Sequence, residues 1–381
     1  MTPRERVLIL GTATGRRDRD LRELELDELE ELARTLDSEV VERVLLTLHE
    51  PHPATFLRSG AVDTVGSRIA ELGRPTVLFN DALTPRQQRN LGEAWDVTVL
   101  DRTEVILDIF ARRATTAEGR VQVEMAQLEH ALPRLAGGWS HLERQRGGVG
   151  LRGGPGETQI EVDRRLIRQR LKRLKQRLAV IERQRQTRRT ARTDVPLASC
   201  ALVGYTNAGK STLLNRLTHS EVLADNLLFA TLDPTSRRLD LPSGRRVIVT
   251  DTVGFIQNLP HELVEAFAAT LEEVRQAHLL AIIVDGSHPD CEQQLQTVLD
   301  TLEDMGCAQP SLLVLNKADR LAPAALRSVR MRLGDVAGSS PLAISALRGS
   351  GLRDFRDVLD RLAASLVPET SANRSPLATA M

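Results

Sequence analysis

The stretch GYTNAGKS at residues 204–211 decides the fold of the second half of the chain. It matches the spacing G-x-x-x-x-G-K-S, follows the apolar run CALV and continues into STLLNRL, so the sequence predicts a strand, a glycine-rich loop and a helix in that order. Unpaired N–H groups and the helix dipole at such a helix start favour anions, which indicates a phosphate-binding loop. The predicted binding residues of this loop are Gly204, Tyr205, Thr206, Asn207, Ala208, Gly209, Lys210, Ser211 and Thr212.

Three later motifs complete a predicted guanine-nucleotide site. VIVTDTVGF ends a strand with Asp251, placed to hold Mg²⁺ through water, and with Gly254, whose N–H can meet a γ-phosphate. LLVLNKAD ends another strand with Asn316, Lys317 and Asp319, and a carboxylate there accepts hydrogen bonds from N1 and N2 of guanine. Adenine offers neither donor, so the predicted ligands are GTP and GDP. ISAL follows a fourth strand and would close over the base through Ser345, Ala346 and Leu347.

The residues around the phosphates indicate hydrolysis with one unusual feature. Lys210 is placed to reach the β- and γ-phosphates and Ser211 to bind Mg²⁺. In LLFATLDPTSRRLDL, which precedes the DTVGF motif, Thr231 and Thr235 are equal candidates to close on Mg²⁺ and the γ-phosphate. Many GTPases carry a water-orienting glutamine after the DxxG glycine, but this chain has Phe255, whose ring cannot hydrogen-bond water.

Composition restricts the class of protein. The 381 residues allow two or three domains, and 51 basic and 51 acidic residues give zero net charge, which excludes a chain that is basic throughout. Three cysteines without metal-ligand pairing indicate free thiols in a reducing compartment. No signal peptide and no run of roughly 20 apolar residues is present. We therefore expect a cytoplasmic monomer without a membrane span, and a peripherally membrane-associated fraction stays open.

The order of sequence patterns predicts an α/β fold class in several domains. Residues 1–101 alternate strand-like and helical runs, which predicts an N-terminal parallel α/β domain; its strongly acidic first helix is expected to be solvated. Residues 102–195 show heptad-like spacing, which predicts an antiparallel helical hairpin. Residues 196–366 form the predicted doubly wound P-loop GTPase domain, and 367–381 a disordered tail.

The predicted hairpin carries two features that indicate an RNA partner. Residues 164–195 hold thirteen Arg or Lys and two acids, a net charge of +11 that a polyanion would neutralise, although a solvated face is the alternative. Eleven of the thirteen are arginines and aromatic residues are nearly absent, which favours the backbone of folded RNA over stacked single strands. The tip at 136–156 has eight glycines, and its GVGLRG at 148–153 lies between helices, so it indicates an RNA contact and not a dinucleotide fingerprint.

The chain resembles the HflX family of GTPases over most of residues 75–285. The stretches that carry the resemblance are LTPRQQRNL, DRTEVILDIFARRATTAEGRVQVEMAQLEHALPRL, RGGVGLRGGPGETQIEVDRR, GYTNAGKSTLLNRLT, LFATLDPTSR and DTVGFIQNLP. The resemblance implies a ribosome-associated GTPase that binds the large subunit through its ribosomal RNA and splits stalled or idle ribosomes under stress. It also implies that Thr231, in FATLD, is the Mg²⁺ threonine.

With this resemblance, the predicted catalytic residues are Lys210, Thr231 and Gly254, and the predicted metal ligands are Ser211, Thr231 and Asp251. Asn207 is similar in position to an asparagine that coordinates K⁺ in several GTPases without the glutamine, so K⁺ is a second candidate cofactor; a loop-stabilising asparagine is the alternative. We expect an enzyme that hydrolyses GTP slowly alone and faster on ribosomes. The alternatives are an RNA-binding adaptor and a signalling GTPase in which GTP only switches conformation.

Overall fold

The computed structural model describes residues 4–135, 159–190, 197–219, 228–257 and 268–366. Among them, one compact unit comprises residues 4–112, 120–135 and 159–180, and the remaining residues form a second unit. The predicted glycine-rich tip at 136–156 and the tail at 367–381 lie outside the described residues. The division into three domains and a tail stays a prediction, while the α/β fold class is confirmed in both units.

The first unit contains a four-stranded parallel sheet in the order β2-β1-β3-β4. The strands are β1 (Arg6–Ala13), β2 (Glu39–Thr47), β3 (Thr76–Phe79) and β4 (Val99–Asp101), and the helices between them are α1 (Arg16–Thr35), α2 (Ser59–Glu71) and α3 (Pro85–Trp95). All but the first residue of β1 are buried, as expected of a central parallel strand covered on both faces. The sequence thus forms the predicted N-terminal α/β layer.

Three helices follow the sheet: α4 (Arg102–Arg113), α5 (Ala117–Arg134) and α6 (Gln159–Thr190). Ile167 and Leu171 of α6 are buried beside Leu135, and partly buried apolar residues of α5 pack against them. The heptad spacing of the sequence predicted this apolar contact between α5 and α6. Ion pairs cross the same surface, with Arg170 to Glu124 and Lys175 to Glu129 both at 3.0 Å. Two of the basic residues of α6 are therefore engaged within the chain.

The carboxyl ends of β3 and β4 carry a buried polar network. The Arg102 guanidinium donates to Asn80 Oδ1 at 3.0 Å and also pairs with Glu28, while Asn80 Nδ2 donates to Glu25 at 2.9 Å. Glu25 is 4% exposed. The expectation that the acidic helix α1 is a solvated face is therefore wrong for Glu25 and Glu28, because two buried polar partners on the sheet need their carboxylates.

The second unit contains a six-stranded sheet in the order β10-β9-β8-β5-β7-β6, parallel except for the antiparallel pair of β6 and β7. Its strands are β5 (Ala198–Gly204), β6 (Thr235–Asp240), β7 (Arg246–Asp251), β8 (Leu279–Asp285), β9 (Ser311–Asn316) and β10 (Leu342–Ala343). Its further helices are α7 (Lys210–Thr218), α8 (Ala268–Gln276), α9 (Cys291–Asp304), α10 (Pro323–Ala337) and α11 (Leu352–Leu366). This is the predicted doubly wound arrangement, in which ligands bind at the carboxyl ends of the strands. Within the described ranges, no helix is both long and apolar enough to cross a bilayer.

Candidate functional site

The phosphate loop joins the end of β5 to the start of α7. Gly209, the residue before α7, has a left-handed φ of 93°, and a Cβ at this position would collide with the Asn316 side chain. Asn207 also adopts a left-handed φ of 58°, which asparagine tolerates better than most residues, and its side chain is exposed. Glycine and asparagine therefore give the loop its sharp path, and the N–H groups in the first turn of α7, which have no partner within a helix, are suited to bind an anion.

Lys210 lies inside this loop. Its Nζ donates to the carbonyl oxygens of Gly204 at 3.0 Å and Tyr205 at 2.9 Å, and the residue is 6% exposed. Burial lowers the pKa of Lys210 to about 8, although the nearby Asp251 carboxylate acts in the opposite direction. A buried ammonium that donates to two carbonyl oxygens interacts strongly with any anion that enters the loop.

Three oxygens converge beside the loop. The Ser211 hydroxyl lies 2.6 Å from Asp251 Oδ2 and 2.8 Å from Thr231 Oγ1, and Thr231 Oγ1 donates to the same Asp251 oxygen at 3.0 Å. Burial raises the pKa of Asp251, against the opposing effects of Lys210 and the two hydroxyls. Asp251 Oδ1 is buried and has no hydrogen-bond partner among the described residues. Thr235, the other candidate, instead begins β6 and pairs in register with Asp251.

The DTVGF segment is fixed to the phosphate loop through its backbone. Phe255 N donates to Gly204 O at 3.1 Å, and Thr206 N donates to Phe255 O at 2.9 Å. A Cβ at Gly254 would lie 2.7 Å from Thr206 Cα, so only glycine permits this approach. The Phe255 ring is 2% exposed, and the Tyr205 hydroxyl accepts from the N–H of Gln257 at 2.8 Å.

The predicted base-binding residues lie where β9 and β10 end. Asn316 Nδ2 donates to Ala208 O at 2.8 Å, and its Oδ1 accepts from Ala346 N at 3.0 Å, so one buried side chain joins the phosphate loop to the ISAL segment. A hydrogen bond from Ser345 lowers the pKa of Asp319, and Arg348 lies 3.4 Å from its Oδ2. Leu347 is 70% exposed beside these residues.

The structure thus brings the four predicted motifs to one edge of one sheet. Ser345, Ala346 and Ala208 are buried, and Thr212 lies in the first turn of α7. Sequence reasoning missed Asp285, which ends β8 and pairs with Lys317 Nζ at 2.7 Å. A carboxylate ending the strand beside β9 was the signal that could have identified it.

A phosphate-loop motif followed by DTVG and NKAD motifs at one edge of a doubly wound sheet defines the class of P-loop GTPases, and the chain is one of them. Family models agree: residues 199–317 match one described as a 50S ribosome-binding GTPase. Residues 23–111 match a GTP-binding GTPase N-terminal model, and residues 113–192 match a GTP-binding GTPase middle region.

Curated relatives give the family. A protein of Magnetococcus marinus named GTPase HflX is 48% identical over 358 residues, which are 94% of this chain and 82% of that protein. The Escherichia coli protein of the same name is 42% identical over 357 residues, 93% of this chain and 82% of the relative. The chain belongs to the HflX family of GTPases, and it hydrolyses GTP.

A solved structure shares the fold. The protein called SsGBP, in complex with GDP, superimposes with a TM-score of 0.51 at 22% identity, covering 95% of this chain and 99% of that one. An identity this low supports the fold alone.

Proposed function

We propose that GTP binds along the carboxyl edge of the second sheet, with its phosphates in the loop 204–211 and its base between the NKAD and ISAL segments. The observation that carries this proposal is the buried Asn316 side chain of the NKAD segment. It donates to Ala208 in the phosphate loop and accepts from Ala346 in the ISAL segment. Asp319 is held as a carboxylate by its hydrogen bond from Ser345, which suits it to accept from N1 and N2 of guanine. Lys317 is fixed by Asp285, so its aliphatic stem can border the base.

The residues at the phosphate end fit Mg²⁺. Hydroxyl and carboxylate oxygens are the ligands that this hard cation prefers, and the triangle of Ser211, Thr231 and Asp251 has sides of 2.6 to 3.0 Å. The unpartnered Asp251 Oδ1 is free to hold a water ligand. Bound Mg²⁺ would neutralise charge on the β- and γ-phosphates.

Hydrolysis would then depend on groups of the backbone and the loop. Lys210 would hold the β- and γ-phosphates and the Gly254 N–H would meet the γ-phosphate. Thr231 would close the site from the LLFATLDPTSRRLDL segment, which we call switch I. The Phe255 ring cannot orient water, so the chain alone is expected to turn over slowly. The exposed, left-handed Asn207 supports K⁺ as a second cation that offsets developing charge.

We further propose that the chain binds the large ribosomal subunit, with α6 on ribosomal RNA. The run at 164–195 has a net charge of +11, and Arg168, Lys172 and Arg173 are exposed on the described part of α6. The family model that matches residues 199–317 is described as a 50S ribosome-binding GTPase. Binding would order the site and accelerate hydrolysis. The GTP-bound chain would split stalled or idle ribosomes under stress, in the cytoplasm and as a monomer, with hydrolysis coupled to its conformational change.

The salt dependence of ribosome binding tests the role of α6. The double variant Arg168→Gln and Lys172→Gln removes two exposed charges, and each lost phosphate contact should reduce the log–log salt slope by about 0.9, by analogy with duplex DNA. The matched control is Arg170→Gln and Lys175→Gln, because these charges already pair with Glu124 and Glu129. Co-sedimentation with large subunits over a salt series gives both slopes. Equal slopes for the two variants and the native chain would reject the RNA contact.

Ribosome splitting needs its own assay. Light scattering of intact ribosomes should fall on addition of the chain with GTP or a non-hydrolysable analogue, and less with GDP. Binding to large subunits without any fall in scattering would favour the RNA-binding adaptor over a splitting factor.

A further inference from the structure

One side chain that the nucleotide site does not use is held by an unusual number of donors. Asp233 lies two residues after Thr231, and its carboxylate accepts four hydrogen bonds from the turn before α5. Oδ2 accepts from the backbone N–H groups of Thr115 and Thr116, both at 2.8 Å, and from the Thr115 hydroxyl at 2.6 Å. Oδ1 accepts from the Thr116 hydroxyl at 2.5 Å.

The turn that donates these bonds is also the cap of a helix. The Thr116 hydroxyl accepts from Gly119 N at 2.9 Å, which satisfies an N–H in the first turn of α5. The Thr116 hydroxyl therefore accepts from Gly119 and donates to Asp233, which links the first turn of α5 to this carboxylate. A Cβ at Gly119 would collide with Asp233 Oδ1, so glycine is required for this approach. Residues 113–119 and Asp233 belong to the same compact unit.

The four donors to the Asp233 carboxylate are two backbone N–H groups and two hydroxyls of adjacent residues, Thr115 and Thr116. Hydrogen bonds to an ionised acceptor are stronger than those between neutral groups. The contact is therefore a strong one that any movement of this segment would have to break.

The segment between Thr231 and β6 is short and stiff. Leu232 is buried, and Pro234 fixes its own φ and restricts Asp233 to extended conformations. Two extended residues span only about 7 Å, so the position of Asp233 limits where Thr231 can lie. Thr231 contacts Ser211 and Asp251 at distances of 2.8 and 3.0 Å.

We propose that Asp233 is a positioning residue for GTP hydrolysis, which holds Thr231 at the Mg²⁺ site by anchoring switch I to the Thr115–Thr116 turn. The role rests on the proposed function of Thr231 and not on ribosome binding. Coupling between two sites is reciprocal, so GTP with Mg²⁺ also stabilises the first turn of α5, and a partner that orders this turn favours the closed switch.

The test is GTP turnover by the full chain as a function of Mg²⁺ concentration. Asp233→Asn should lower kcat about tenfold, equivalent to 1.36 kcal/mol, and raise the Mg²⁺ concentration needed for half-maximal turnover. GDP affinity should stay within about twofold, because GDP lacks the γ-phosphate that Thr231 meets. The matched control is Asp240→Asn, an exposed carboxylate on β6 that pairs with Arg246, and it should match the native chain.

A second set of variants separates loss of the Asp233 contact from misfolding. Thr115→Val with Thr116→Val keeps the backbone donors and should lower kcat about threefold. Added to Asp233→Asn, it should cause little further loss, since both act through one contact. If Thr231→Ala reduces turnover, two results for Asp233→Asn would overturn the proposed role of Asp233. One is a native kcat, and the other is an equal loss of turnover and of GDP affinity. Native turnover in Thr231→Ala would instead reject the proposed Mg²⁺ site.

Discussion

Phe255 is predicted to stabilise the fold and to take no part in the chemistry. Its ring is 2% exposed, and its backbone pairs with Gly204 and Thr206 of the phosphate loop. Phe255→Ala removes a buried aromatic ring, which costs about 3–5 kcal/mol in protein cores. For a unit of this size, each kcal/mol lowers Tm by about 2–4 °C, so we expect a decrease of about 6–20 °C.

Differential scanning fluorimetry without nucleotide measures this decrease. Met331→Ala is a suitable control, because Met331 is a large apolar side chain in the same unit that is 65% exposed, and its removal should leave Tm nearly unchanged. Below its Tm, the Phe255→Ala chain should retain most of its GTP turnover. A Tm equal to that of the native chain would mean that the ring is not packed as described.

Phe255→Gln separates packing from chemistry. It places the water-orienting amide of other GTPases at this position, but the site is buried, so the amide loses hydration at a cost of about 1–3 kcal/mol. We therefore expect lower stability and no gain in turnover. A turnover rate about tenfold above that of the native chain would refute the reasoning, since it would place residue 255 beside the attacking water.

Three further predictions concern the base, the cation and pH. Asp319→Asn should weaken GTP binding and admit xanthosine nucleotides, since an amide replaces two acceptors by an acceptor and a donor; unchanged GTP affinity in a titration would reject the assignment. Ribosome-stimulated turnover should be faster in K⁺ than in Na⁺, and Asn207→Ala should abolish the difference; equal native rates in both salts would exclude K⁺. Burial lowers the pKa of His130 to about 4, against the opposing Asp101 carboxylate, so the unfolded chain binds the proton first. Stability contributed by His130 is present above pH 6.5 and is lost as pH falls from 6.5 toward about 4; urea unfolding of His130→Gln should show a weaker decline over that window.

Local patterns predicted much of this molecule because they encode local geometry. The loop 204–211 was predicted from glycine spacing, and α5 and α6 from their heptads, since each depends on residues close in sequence. The alternation of strands and helices in the first hundred residues also predicted the parallel sheet, because parallel strands need helical crossovers.

Contacts between distant residues were not predictable in the same way. Asp233 meets Thr115 and Thr116 across more than one hundred residues, and no spacing rule in either segment signals the other. Glu25 looked like one more acid on a solvated helix, because its distant partner Asn80 is identified only when the helix lies on the sheet. The residues alone also left Thr231 and Thr235 as equal candidates, because the contacts of Thr231 with Ser211 and Asp251 join residues about 20 apart that no local pattern relates.

The side chain of Asn316 has a consequence for how nucleotides are sorted. One buried amide donates to the carbonyl oxygen of Ala208 and accepts from the N–H of Ala346. With the nucleotide bound as proposed, a shift of the base segment would therefore strain the loop that binds the phosphates. Binding of the base and binding of the phosphates should then be energetically coupled. A nucleotide with the wrong base should lose more affinity than its own hydrogen bonds account for. Free pyrophosphate should bind more weakly than the phosphate contacts alone would suggest, because it leaves the base segment empty.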